Sequence, residues 1–257
     1  MAPSLFSRMR WQIARSLLAL GTAVLATAAQ AGEVKIAVAA NFTNAAKEIG
    51  VLFARASGHR ALFSFGSTGQ LYTQITQGAP YDVFLAADRN RPKRAIAEGH
   101  AVKGSRFTYA AGRIALFSMD KSLARGSASL EHGRFAKIAI ANPVTAPYGA
   151  AAVETMKALG VFGRLRPRIV QGNNIAQTYQ FVESGAAEVG FVALSQIARH
   201  EKGSRWIVPA SLHAAIRQDA VLLERGRRNE AALGFIGFLK GEQARAVKEK
   251  YGYGAGE

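Results

Sequence analysis

Residues 33–56 read EVKIAVAANFTNAAKEIGVLFARA, and the hydrophobic period changes inside them. From Val34 to Ala40 the run is short, apolar and partly β-branched, which predicts a buried strand. Phe42, Ala45, Ile49, Leu52 and Phe53 then recur at helical spacing, so an amphipathic helix should follow at once. Asn41, with Thr43 close behind, is a residue type suited to cap that helix. A strand ending directly in a capped helix presents free N–H groups and the positive end of the helix dipole, an arrangement suited to an anion. An ordinary βα turn has the same local sequence, so the meaning of this one depends on the rest of the chain.

The same unit recurs downstream. Ala61 to Phe65 reads as a strand, runs through Gly66-Ser67-Thr68-Gly69 and enters a helix carrying Leu71 and Ile75. Val83 to Ala87 is a third apolar strand, followed by a helix with Pro92 near its start and Gly99 at its end. This βαβαβα series predicts a mostly parallel sheet with helices on both faces. The run FTYAAGRIALFS, 107–118, is twice the usual strand length and is broken by Gly112, as expected of a strand passing from one lobe to another. The pattern then resumes: strand 137–141, the loop NPVTAPYG, a helix to Leu159, strand 169–170, the turn Gly172-Asn173-Asn174, a helix, and strand 189–194. Strand candidates at 205–208 and 215–223 precede two final helices parted by Gly241. The expected architecture is therefore α/β and two-lobed, each lobe a doubly wound, mostly parallel sheet. Lobe one should cover 32–111 plus 225–257, and lobe two 112–224.

The N-terminus reads as an export signal. Arg8, Arg10 and Arg15 precede the apolar run 17–29, and Ala29-Gln30-Ala31 fits a cleavage site, so residues 1–31 are expected to be a signal peptide and the protein periplasmic. Removing the leader's three arginines takes the formal net charge from +16 to +13. Export and the scatter of the basic residues argue against a nucleic-acid partner, leaving a solvated surface or the steering of an anionic ligand. Cysteine is absent, which excludes disulfides and thiol chemistry. His59, His100, His132, His200 and His213 are too far apart in sequence to form a paired metal motif, so no metal centre or cofactor is expected.

Ligands of doubly wound sheets bind at the carboxyl ends of strands. Four turns occupy such positions: Ala40-Asn41, Ser67-Thr68, Pro147-Tyr148-Gly149 and Asn174-Ile175. None contains Lys, Arg, His, Asp or Glu. Hydroxyls, amides and backbone N–H groups without a carboxylate suit a fully deprotonated oxyanion, because a protonated one would need an acceptor for its own proton. Ser67, Thr68 and Asn41 are also common caps, Tyr148 could pack on the surface and Ile175 in the core; their shared placement is what joins them.

Four stretches carry a resemblance across most of the chain, in order: AANFTNAAKEIGVLFARASGH, FGSTGQLYTQITQGAPYDVFLAAD, NPVTAPYGAAA and GFVALSQI. They resemble the periplasmic molybdate-binding proteins, the ModA family of ABC-importer receptors. The resemblance implies a type II-like periplasmic binding protein that holds molybdate, and tungstate about as well, between its lobes and delivers it to a membrane ABC permease. It places the ligand-binding positions at Asn41, Thr68 with Ser67 beside it, Tyr148 and Ile175, and it implies a monomer. Three positions depart from family patterns. Asn41 stands where the enterobacterial type has a serine. Ala193 stands where the enterobacterial type has a tyrosine, and Ala40 stands where the branch from nitrogen-fixing bacteria has a threonine. Fewer hydroxyls leave more of the binding to backbone N–H groups, and a receptor for sulfate, thiosulfate or chromate stays open as the alternative. Catalysis is not expected, since Asp82 and Asp88, the nearest carboxylates, have no His or Lys partner in sequence reach.

Overall fold

The computed structural model describes residues 31–254. The leader read over 1–31 lies, but for its last residue, outside the described residues. Strand β1 (Glu33–Ala39) is followed by a 3-10 turn (Ala40–Phe42) and helix α1 (Thr43–Ser57). Val34, Ile36, Ala37 and Val38 are wholly buried because β1 pairs in parallel with β2 (Arg60–Gly66) on one side and β3 (Val83–Leu85) on the other, with helices over both faces. Helix α1 buries Ala45, Ala46, Ile49 and Phe53, and Gly58 ends it at φ 73°, a left-handed turn that a side chain would strain.

Two five-stranded sheets share one plan. The first has the order β2-β1-β3-β10-β4, with β4 at Phe107–Gly112 and β10 at Ile216–Leu222. The second has the order β7-β6-β8-β5-β9, formed by β5 (Ile114–Ser118), β6 (Ile138–Ala141), β7 (Ile169–Gly172), β8 (Val189–Ala193) and β9 (Ser204–Ile207). In the first sheet β10 runs against both its neighbours; in the second, β5 does. The remaining strands of each sheet share one direction, which makes both mostly parallel, as expected. Helices α2 (Thr68–Thr76) and α3 (Asn90–Ala97) belong to the first sheet, α4 (Pro147–Ala158) and α5 (Ile175–Glu183) to the second.

The 107–118 run divides as its glycine suggested: β4 ends at Gly112 in one sheet and β5 starts at Ile114 in the other. The boundary drawn at 224 is corrected. Strand β10 does not join the second sheet but inserts between β3 and β4 in the first. Its apolar residues Ala220, Val221 and Leu222 are buried there on both faces, while β9 already pairs with β5 in the second sheet. Helices α6 (Glu230–Lys240) and α7 (Glu242–Lys250) pack on the first sheet, with Phe235 edge-on to Phe53 at 5.3 Å. Among the described residues, no helix is long and apolar enough to cross a membrane.

Candidate functional site

Four βα turns converge between the sheets. The space they enclose is small, about 200 Å³ of atom-free volume, and is lined by Ala39, Ala40, Asn41, Gly66, Ser67, Thr68, Ala87, Ala146, Pro147, Tyr148 and Ile175. All five residues singled out in the sequence, Asn41, Ser67, Thr68, Tyr148 and Ile175, line it, and none of the lining residues carries a charged side chain. A wider space, about 1000 Å³ of atom-free volume, adjoins it and shares Ala87, Ala146 and Pro147; there Asp88, Arg89, Arg91, Glu154 and Arg217 supply charge.

Each turn sets the start of a helix or 3-10 turn at the pocket, where the first N–H groups have no intrahelical acceptor. Ser67 is the N-cap of α2; its hydroxyl accepts from the amide of Gln70 at 3.4 Å and donates to the Gln70 Oε1 at 2.9 Å. That commitment uses the single proton of Ser67 Oγ and leaves the Thr68 amide at the helix start. Thr68 Oγ1 accepts from the amide of Ala87 at 3.0 Å, so its own proton is left to donate. Asn174 caps α5 through the amides of Ala176 and Gln177, at 2.9 and 3.0 Å, leaving the Ile175 amide uncapped. Pro147 opens α4, where its missing N–H costs nothing, and puts the Tyr148 amide in the first turn.

Asn41 corrects one expectation. It sits inside the 3-10 turn, and its side chain caps nothing. Asn41 Nδ2 instead donates to Gln218 Oε1 at 2.8 Å and to the Tyr253 hydroxyl at 3.1 Å. Its carbonyl accepts from Ser195 Oγ at 2.8 Å and from Tyr253 at 2.7 Å. Gln218 completes the cluster: Oε1 also accepts from Tyr109 at 3.1 Å, and Nε2 donates to the Tyr148 hydroxyl at 3.2 Å. Every residue of this cluster is buried, and the cluster ties α4 of the second sheet to β10 of the first and to the C-terminal segment, where Gly254 bridges Ala111 of β4. Burial pushes the hydroxyls of Tyr109, Tyr148 and Tyr253 well above the ordinary phenol range, so they stay neutral donors.

Gln218, Ser195, Tyr109 and Tyr253 were not singled out from the sequence. A signal existed for Gln218: Arg217-Gln218-Asp219 are three successive polar residues in a strand whose other members are apolar, and the register of β10 against β4 slips between Gln218 and Asp219. A bulge there turns both side chains inward. Asp219, wholly buried, accepts from Thr108 Oγ1 at 2.7 Å, pairs with Arg106, and has Arg89 Nε at 3.6 Å. Asp82 and Asp88 serve as ties. Asp82 accepts from the Lys35 amide at 2.7 Å, and Asp88 accepts from the Arg91 amide at 2.9 Å. Ala40 lines the pocket, whereas Ala193 lies in the second lobe's core. Among the described residues, no group of three or more His, Asp or Glu side chains is arranged to hold a metal ion.

Comparison with known proteins follows the same outline. The family model for bacterial extracellular solute-binding proteins matches residues 34–254. The molybdate-binding protein ModA of Rhodobacter capsulatus is 51% identical over 229 residues, covering 89% of this chain and 91% of that one. ModA of Azotobacter vinelandii is 48% identical over 250 residues, covering 96% and 99%. The solved periplasmic molybdate-binding protein of Azotobacter vinelandii superposes with a TM-score of 0.84 at 37% identity, over 87% of this chain and 100% of that one.

Proposed function

The chain belongs to the bacterial extracellular solute-binding proteins and, within them, to the ModA family, and from that premise we propose that it is a periplasmic receptor that binds molybdate, and tungstate about as well, in the pocket between its lobes. As a member of this family it is a transport receptor rather than an enzyme, and it hands its ligand to a membrane ABC permease. The observation that carries the choice of ligand is the convergence of three helix N-termini and a 3-10 turn, from two sheets, on one small pocket without a charged side chain. Converging amides favour a dianion by dipole and by charge-assisted hydrogen bonds, and they cost less to desolvate than buried cations. The pocket takes one compact ion and nothing the size of a sugar or a peptide. In this reading the amides at Asn41, Thr68, Tyr148 and Ile175 and the Thr68 hydroxyl are the donors, and Ser67 contributes by capping α2.

Isothermal calorimetry with molybdate, tungstate, sulfate and phosphate tests it. Molybdate and tungstate should bind with similar affinity, and the smaller sulfate and the protonated phosphate should bind far more weakly. No heat from molybdate at micromolar protein would overturn the proposal; stronger binding of sulfate would move it to another oxyanion. Thr68→Val should weaken molybdate binding about tenfold by removing one charge-assisted donor. An unchanged affinity would remove the Thr68 hydroxyl from the donor set.

A further inference from the structure

The sheets are also joined at a place where no pocket-lining amide is involved. In the loop 142–146, two successive carbonyls of the second lobe are taken by two helices of the first. Arg91 Nη2, in α3, donates to the Val144 carbonyl at 2.8 Å, and the Gly69 amide, in α2, donates to the Thr145 carbonyl at 2.8 Å. We propose that Arg91 is a latch: by binding the Val144 carbonyl it holds the cleft shut over the pocket and sets how fast the ion leaves, without touching the ion.

Both halves of the contact are held ready. Asp88 pairs with the Arg91 guanidinium through Oδ2 and accepts from the Arg91 amide through Oδ1, so the side chain is fixed before it meets the loop. The loop is a tight turn. Its Val144 amide donates to Asn142 Oδ1 at 2.9 Å, and the Ala146 amide donates to the Asn142 carbonyl at 2.8 Å. The approach is close: a Cβ at position 69 would lie 3.0 Å from both Arg91 Nη2 and Thr145 Cα, tighter than ordinary van der Waals contact. Val144 is 78% exposed, so this residue adds little apolar burial to the contact. The Arg91–Val144 bond lies at the exposed rim and exchanges readily with water, which suits a contact that must open and close. Arg91 lines the wider outer space and is absent from the lining of the small pocket. Its role is therefore one of positioning.

Arg94, one turn further along α3, is the matched control. It carries the same charge but pairs with Glu98 at 2.9 Å and lies over the Tyr72 ring, both in its own lobe. Two measurements decide the proposal. The first is dissociation of molybdate and of tungstate by stopped flow from the wild type, Arg91→Ala, Arg91→Lys and Arg94→Ala; this arm rests on the anion reading of the cleft. Arg91→Ala should release both ions about tenfold faster, the loss of one charge-assisted bond, with their affinity ratio unchanged. Arg91→Lys should fall between, since it keeps a donor but loses the fork that Asp88 orients. Arg94→Ala should release both ions at the wild-type rate. The second measurement is hydrogen exchange at the Gly69 amide in the ion-free proteins, which does not depend on which ligand binds. Exchange should be faster in Arg91→Ala than in Arg94→Ala. Equal exchange at Gly69 in the two variants overturns the latch, as does equal dissociation. A wild type that binds neither ion overturns the anion reading and leaves the exchange comparison to decide the latch.

Discussion

Gly149→Ala is expected to abolish tight anion binding and to melt roughly 10 °C below the native protein. Glycine is required here for space: a Cβ would lie 2.1 Å from the Ala141 carbonyl oxygen and 2.7 Å from its carbon, both backbone atoms at the end of β6. No rotamer change relieves a clash with backbone, so the start of α4 must withdraw from the strand. Overpacking of this kind costs about 3 kcal/mol, and at about 2–4 °C per kcal/mol for a chain of this size that gives the melting shift. The same withdrawal carries the Tyr148 amide away from the pocket, so affinity and stability fall together. Circular-dichroism melts and calorimetry on one preparation test this; a native melting temperature would mean that α4 can slide outward freely. Gly163, around which a Cβ meets nothing within 4 Å, supplies the control substitution.

Asp219→Ala should lower stability by about 3 kcal/mol, as expected when one partner of a buried ion pair is removed. Asp219 is wholly buried, and its loss strands Arg106 and leaves the Thr108 hydroxyl without its acceptor. The Arg106 side chain remains 33% exposed and regains some water, which keeps the cost at the lower end of the usual range. The surface pair Arg60–Glu33, with side chains 68% and 45% exposed, gives the contrast: Glu33→Ala should cost about 0.5 kcal/mol or less. Urea unfolding measures both. A loss below about 1 kcal/mol for Asp219→Ala would show that attraction and desolvation nearly cancel in this pair.

Local features of the fold were legible because they depend on neighbours in sequence. The period change within 33–56 locates β1 and α1 since a central parallel strand is apolar on both faces and its helix on one. Ser67 does cap the helix that follows it, as its residue type suggested, and Asn174 does the same for α5. Reading failed where the deciding partner is far away. Asn41 looks like a cap from its surroundings, yet its amide finds Gln218 and Tyr253, 177 and 212 positions along the chain. Strand 215–223 was recognised as a strand, but periodicity does not say which sheet will take it. Arg91 was invisible in a different sense: its target is a backbone carbonyl, and a carbonyl has no letter in the sequence.

The placement of β10 has a consequence for the order in which the protein assembles. The second sheet is built from one unbroken stretch, β5 to β9, residues 114–207. The first is started by residues 33–112 but lacks the strand between β3 and β4 until 216–222 arrives, and it lacks the cover of α6 and α7 until later still. Closing that long loop must precede the contacts that reward it. The half that comes second in the chain should therefore fold first and serve as the anchor on which the other is completed. Pulse-labelled hydrogen exchange during refolding should find the amides of β5, β6 and β8 protected before those of β1 and β3, and the reverse order would refute it. The pocket, which draws two turns from each half, is then the last part of the molecule to exist.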